Sequence, residues 1–170
     1  MRQISIKIKG IAPLIMNQFN SEVPEAKRSK RVYVPEEEAK RRAYYSKDGK
    51  LYLPGMQFKA SMIRAASDFK MAGKKTYKDY IKSGIFIKED EVILDQQEYV
   101  IHAEPVVIAR ARVMKWRPKI EEWSCSFTID VVDEMIDKKV LKEILETAGK
   151  YKGVGDHRPE YGRFEVVEFK

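Results

Sequence analysis

Three runs of residues that alternate with a period of two constrain the fold of this chain more than any other feature of its sequence. Isoleucines occupy every second position from residue 4 to residue 8, with serine or lysine between them. The same period of two covers residues 107–114 and residues 123–131. Because successive side chains of a strand point to opposite faces, each run predicts a strand. We predict an N-terminal strand and a long β-hairpin with arms 107–114 and 123–131 and residues 115–119 at its tip.

Two segments have the spacing of amphipathic helices. Apolar residues recur at helical intervals within 53–71 and again within 137–149. Asp137 is placed to cap the start of the second helix and Gly149 to stop its end. Shorter helices are predicted at 35–45 and 74–84, brief strands at 85–87 and 92–94, and a last strand at 165–170.

The order of the main elements is strand, helix, strand, strand, helix, strand. This order is typical of the ferredoxin-like or RRM-like α+β fold, βαββαβ, with inserted loops and a long basic β-hairpin. Such a fold carries both helices on one sheet face and leaves the other face open. The length of 170 residues fits a single domain spanning 1–170.

The charge balance favours a polyanionic partner. The chain has 33 Lys and Arg against 26 Asp and Glu, a net charge of +7, and a pI near 9.3. No apolar run is long enough for a membrane span, and residues 1–10 lack the continuous apolar stretch of a signal peptide, so neither is expected. A single cysteine excludes an internal disulfide framework, which fits a cytoplasmic location.

The positive charge is concentrated in residues 105–120, which contain five basic residues and no acidic one. On the predicted strand, Arg110 and Arg112 share a face about 7 Å apart, a spacing that suits successive phosphates of an extended strand. Three more cations continue this track and an aromatic residue could stack on bases: Lys115, Arg117, Lys119 and Trp116. The alternative is a surface hairpin that its charges merely keep soluble.

The segment 153–164, "GVGDHRPEYGRF", precedes the last strand and could be a phosphate cradle, a catalytic loop or a steric connection. Gly153 and Gly155 would let the backbone approach a ligand, while Arg158 and Arg163 add charge. His157 is interpreted as a backbone or phosphate contact. A helix precedes the loop, unlike a nucleoside triphosphate loop, so no nucleotide cofactor is expected.

No catalytic or metal-binding motif is apparent, and His102 and His157 are the only histidines. We therefore predict neither catalytic residues nor a metal, although a metal-dependent nuclease is not excluded by the acidic residues.

Three patches resemble the RAMP superfamily, whose members form CRISPR effector backbones and process guide RNA. They are "YLPGMQFKASMIRAA" at the first long helix, "GIAPLIMNQF" after the first strand, and the glycine-rich loop, and they occur in the family's order. The chain departs from the family pattern at Met56, Gln57 and Ala60, and Arg64 lies one position late. The resemblance implies that Lys59 contacts phosphates, that the glycine loop approaches the strand, and that subunits associate along it.

The leading hypothesis is a non-catalytic protein that coats single-stranded RNA or DNA with little sequence specificity, as an effector backbone subunit or a phage or mobile-element relative. The alternative is a metal-independent, guide-RNA-processing endoribonuclease of the same superfamily that uses a histidine. A third hypothesis is a protein-interaction role for the basic face.

Overall fold

The computed structural model describes residues 1–19 and 34–170. The segment 20–35, for which the lack of apolar periodicity and the basic composition predict a loop, lies outside these residues except for its last two positions. The elements in chain order are β1 (Arg2–Gly10), β2 (Leu14–Ile15), α1 (Pro35–Arg42), β3 (Tyr52–Pro54), α2 (Gly55–Ala66), α3 (Lys78–Gly84), β4 (Ile85–Ile87), β5 (Glu91–Ile93), β6 (Val100–Ile108), β7 (Ala111–Ile120), β8 (Ser124–Val131), α4 (Lys138–Thr147), a π-helical turn (Ala148–Lys152) and β9 (Phe164–Phe169). The predicted α+β class is confirmed, and every strand pair is antiparallel.

The central sheet has four strands in the order β4-β8-β1-β9. The predicted alternation of β1 is confirmed, since Ile4, Ile6 and Ile8 are buried while the residues between them are exposed. β8 repeats this pattern and pairs with β1 over its whole length. Both strands therefore direct one apolar face into the core.

Helices α2 and α4 pack on this apolar face. Phe58 of α2 stacks on Phe127 of β8 with ring centroids 4.7 Å apart. The rings of Phe58 and Phe164 meet edge to face, with centroids 6.1 Å apart. All three rings are at most 2% exposed. Burial of these aromatic side chains supplies much of the free energy that holds the first long helix to the sheet.

The start of α4 agrees with its prediction, and its end does not. The side chain of Asp137 accepts hydrogen bonds from the backbone N–H groups of Lys139 and Val140. Gly149 was predicted to stop the helix, but the chain continues as a π-helical turn and leaves it at Gly153, where φ is +73°. Gly149 has a packing role instead, because a Cβ there would lie 2.3 Å from the carbonyl oxygen of Phe164.

The opposite face of the central sheet is open and mixed in charge. Lys7 and Lys9 of β1 lie opposite Glu168 and Glu165 of β9, and serine or threonine occupies much of this face on β8. The described strands β1 and β8 place no aromatic residue there, so an RRM-like platform that stacks bases on the two central strands is not formed.

The predicted long hairpin is wrong, because the turn between β6 and β7 lies inside its predicted first arm, 107–114, and its predicted second arm, 123–131, is β8. β6 pairs with β7 through a tight turn at Ala109 and Arg110, whose φ values are +47° and +67°, whereas β8 belongs to the central sheet. β7 is joined at its base to β2, where Leu14 lies opposite Ile120. Positive φ at both turn residues is typical of a type I′ turn, which sequence methods recognise by glycine or asparagine.

The shorter predicted elements are present. α1, α3, β4 and β5 lie within a few residues of their expected positions, and β9 forms the last strand. Within the described residues, no helix is long and apolar enough to cross a membrane.

Candidate nucleic-acid interface

The start of α2 is fixed by a close approach to the β4–β5 connection. A Cβ on Gly55 would lie 2.2 Å from the carbonyl oxygen of Glu89, and the Gly55 N–H donates to the carbonyl of Asp90 at 2.9 Å. Only glycine fits this contact without a shift of the backbone. The contact sets the position of the first turn of α2 relative to the glycine-rich loop.

Gln57 connects this first turn to the glycine-rich loop. Its Oε1 accepts a hydrogen bond from the Gly155 N–H at 3.0 Å, and its Nε2 donates to the Tyr44 hydroxyl at 3.3 Å. In the sequence, Gln57 stands out only as a departure from a family pattern. No spacing rule could reveal its role, because its partner lies far along the chain.

The glycine-rich loop is folded against the chain's own β2 segment. The N–H groups of Asp156 and Gly162 donate to the carbonyls of Ile15 and Pro13, each at 2.8 Å. Gly155 has φ +78°, and a Cβ there would lie 2.6 Å from the Ile15 oxygen. The space that this glycine leaves is therefore filled by the protein's own backbone.

Three other predicted loop residues have different environments. Arg163 is half-buried, and its carbonyl accepts hydrogen bonds from the N–H groups of Ile11 and Ala12. His157 has φ +54°, which is unusual for a residue with a side chain. Arg158 is exposed.

The solvent side of α2 presents an apolar strip between two cations. Residues advance by about 100° in a helix, so Gln57 and Arg64, two turns apart, share the side next to the loop, and Lys59 lies on the other flank. The strip between them contains Met56, Ala60 and Ile63, of which Met56 is 74% exposed. We call this surface, from Met56 to Arg64, the α2 face.

The two cations of the α2 face are perturbed in the same direction. Burial lowers the pKa of Lys59, whose ammonium lies 4.3 Å from the ring centre of Phe86. Burial and then the positive charge of Arg158 lower the pKa of Arg64. The charges of Arg64 and Arg158 therefore repel each other, and an anion bound beside both would be stabilised.

The hairpin does not present the continuous basic track predicted from the sequence. Arg110 is in the turn and Arg112 is on β7, so they do not share a strand face. Both are exposed, and neither has an ion pair among the described residues. Trp116 was predicted at the tip but lies within β7 opposite Ala103 and is half-buried.

The three remaining hairpin cations are neutralised by carboxylates. Lys115 lies 3.8 Å from Glu38 of α1, Arg117 pairs with Asp156 of the loop, and Lys119 lies 2.9 Å from Glu121. The side chains of Lys115 and Arg117 are only 15% and 14% exposed. Lys115 and Arg117 therefore do not form the solvent-facing basic track that the sequence predicts. That the hairpin cations contact nucleic acid stays a prediction.

Both histidines meet where the hairpin touches the loop. We call this group of side chains the hairpin–loop cluster; its members are His102, Glu104, Arg117, Asp156, His157 and Tyr161. The Oε2 atom of Glu104 lies 3.5 Å from His102 Nε2 and closer to His157 Nε2. Arg117 Nη1 contacts His157 Nε2 at 2.9 Å, and the Tyr161 ring meets both imidazoles edge-on.

The sequence did not predict this meeting of the histidines, because it depends on the β6–β7 pairing. In the described part of the chain, no set of three or more His, Cys, Asp or Glu side chains is arranged to hold a metal ion. The guanidinium of Arg117 lies among the acidic and imidazole groups of the cluster.

Comparison with known proteins finds similarity in structure alone. No protein-family model matches the chain, and no curated protein sequence matches it. Among solved structures, a chain of the type III-B Cmr-beta complex bound to cognate target RNA superimposes with a TM-score of 0.62 at 9% identity, covering 99% of this chain and 59% of that one. Cmr6 from Pyrococcus furiosus superimposes with a TM-score of 0.54 at 11% identity, covering 98% of each chain.

In fold, these matches agree with the resemblance to the RAMP superfamily that the three sequence patches carry. At such low identities the shared property is the fold, and it extends over nearly the whole chain. The chain spans 59% of the length of the Cmr-beta chain that it matches.

Proposed function

We propose that this chain is one RAMP-like domain that binds single-stranded nucleic acid through the α2 face and the adjacent Arg158. The observation that carries the proposal is the electrostatic interaction of the exposed Arg64 and Arg158 beside an apolar strip that ends in the exposed Met56. The similar Cmr-beta complex is bound to cognate target RNA, which makes RNA the first strand to test. Apolar side chains between cations suit a strand whose bases and phosphates are both accessible.

The order of the core elements supports a βαββαβ interpretation of the fold. The core elements follow one another along the chain as β1, α2, β4, β8, α4 and β9. In the sheet order β4-β8-β1-β9, the first of these four strands, β1, lies between the third, β8, and the fourth, β9. β6, β7 and α1 are then insertions. The insertions add the hairpin and the Glu38 contact to one end of the core.

The binding should depend steeply on salt. Each phosphate neutralised on a single strand contributes about −0.7 to the slope of log K against log salt concentration. Lys59, Arg64 and Arg158, together with Arg110 and Arg112 at the hairpin turn, are five candidate cations, so the full set predicts a slope of about −3.5. Little sequence specificity is expected, because these contacts address the backbone.

The test is fluorescence anisotropy with a labelled 20-nucleotide oligouridylate between low and moderate salt. Replacement of Arg64 and Arg158 by glutamine should reduce the magnitude of the slope by about 1.4. Lys138→Gln with Lys139→Gln is the matched control, since it removes the same charge at the end of α4 remote from the loop. Absence of binding at every salt concentration, or equal effects of the two double variants, would refute the proposal. The same oligonucleotide as DNA measures the sugar preference.

We also propose, from the same resemblance, that subunits associate along the strand and that the protein acts in the cytoplasm. Sedimentation velocity with oligouridylates of increasing length tests the association. Complexes whose mass rises in steps of one subunit are expected, whereas one subunit on every length would contradict it.

The second candidate function is metal-independent RNA cleavage. The observation that favours it is the placement of His102 and His157 beside Tyr161, because histidine is the commonest general acid or base in proteins. Incubation of a structured RNA with the protein and a chelator separates the two functions. Specific cleavage that His102→Ala or His157→Ala abolishes would establish an enzyme, and intact RNA would leave a binding protein.

A further inference from the structure

We propose that the hairpin–loop cluster is a concealed phosphate-binding site that the protein's own carboxylates keep closed. A phosphodiester of the bound strand would displace Asp156 from Arg117 in the cluster and, two residues away on β7, Glu38 from Lys115. This inference rests on the proposed function, and it assigns a second, regulated contact region to the same strand.

Arg117 is the cation that a phosphate would bind in this cluster. Its guanidinium pairs with the Asp156 carboxylate and contacts His157 Nε2 at 2.9 Å. A carboxylate oxygen occupies here the position that a phosphate oxygen takes at an arginine, since both anions accept the parallel donors of the guanidinium. Arg158 follows His157 directly and is exposed, so a strand on the α2 face already reaches the edge of the cluster.

The closed arrangement leaves a carboxylate oxygen unsatisfied, which favours exchange. Glu38 is 4% exposed, and its Oε2 is buried without a hydrogen bond to any described residue. Glu104 Oε2 lies beside both imidazoles. Buried polar atoms without partners are unfavourable. Ion pairs with desolvated carboxylates add little net stability, so a phosphate that offers more acceptor oxygens can replace them.

The hairpin is attached in a way that allows it to separate from the loop. Its link to other strands is at the base, where Leu14 and Ile15 of β2 pair with Ile120 and Lys119, and within the described residues β6 pairs only with β7. The face that meets the loop carries charged and imidazole groups rather than an apolar core. Polar contacts can exchange partners in water, whereas a buried apolar face would hold the hairpin closed.

The experiment is the salt dependence of oligouridylate binding by Asp156→Asn, which removes the competing charge and keeps the shape of the side chain. In the wild-type protein a phosphate must displace Asp156 before it can contact Arg117, whereas the variant presents Arg117 without this competing charge and should bind more tightly. At moderate salt its affinity should be about tenfold higher. Glu165→Gln is the control, because it removes one negative charge from the exposed surface of β9.

The outcomes separate the two proposals. If the wild-type protein and both variants fail to bind at any salt concentration, the proposed function is wrong. If the wild-type protein binds but Asp156→Asn matches Glu165→Gln in affinity, the cluster is structural and the concealed site is refuted. If Asp156→Asn does not give the wild-type circular dichroism spectrum, Glu38→Gln is measured in its place, because it frees Lys115 from its carboxylate. Tighter binding than Glu165→Gln is again expected, and equal binding would refute the concealed site.

Discussion

Gln57→Met should loosen the glycine-rich loop without unfolding the protein. The substitution keeps the length of the side chain but removes the acceptor of the Gly155 N–H, which lies 3.0 Å from Oε1. A buried donor that loses its partner costs about 1–3 kcal/mol. Gly155 is partly exposed, so water can replace part of the bond and the lower limit, about 1 kcal/mol, applies.

Amide hydrogen exchange measured by NMR is the assay. An energy of about 1 kcal/mol lowers the protection of the Gly155 amide about fivefold if it opens locally. The Val154 amide is the internal control, because it donates to the Gly162 carbonyl at 2.9 Å and does not involve Gln57. Its protection should stay within a factor of two or so of the wild-type value.

Gln57→Glu is the matched variant, since its carboxylate can still accept from Gly155. We expect it to retain wild-type protection at that amide. The reasoning is refuted if Gln57→Met leaves the Gly155 exchange rate unchanged, or if Gln57→Glu accelerates it as much as Gln57→Met does.

Three further predictions concern the core and its titratable groups. Phe58→Ala should lower the free energy of unfolding by about 3–5 kcal/mol in urea titrations, whereas Met56→Ala on the same helix should change it by less than about 0.5 kcal/mol; equal losses would contradict the packing described. Burial raises the pKa of Tyr99 to about 12; the unfolded chain loses this proton first, so stability should fall as pH rises from about 10 to 12. Tyr99→Phe should remove the contribution of Tyr99 to this loss of stability. An unchanged pH dependence of the unfolding free energy would contradict the raised pKa of Tyr99. Burial also raises the pKa of the Cys125 thiol, so iodoacetamide at pH 8 should label it only as urea unfolds the protein, and rapid labelling of the native state would contradict this.

Local sequence patterns predicted most of the helices and strands because those patterns report which face of an element is buried. The alternation in β1 and β8 and the stripe on α2 each match the buried residues. The pairing of the strands was harder to predict, because a period of two is common to all strands and does not indicate which strands pair. The turn at Ala109 and Arg110 lacks the glycine or asparagine that marks such hairpins, so β7 was joined to the wrong strand.

The candidate site likewise contains residues that the sequence predicted and others that only the fold brings together. Arg64 and Arg158 were predicted from composition and resemblance; both are exposed, and the charge of Arg158 lowers the pKa of Arg64. Gln57 was missed because its partner, Gly155, lies beyond any helical or strand period. His102 meets His157 only because β6 pairs with β7, a consequence of the corrected hairpin.

The sequence by itself determined the α+β class, the net charge of +7 and the basic character of residues 105–120. Only the tertiary structure decided which of those charges face solvent. Lys115 and Arg117 are neutralised by Glu38 and Asp156, carboxylates from distant parts of the chain. Charge can be counted along a chain, but the field of a charge depends on the groups that folding places beside it.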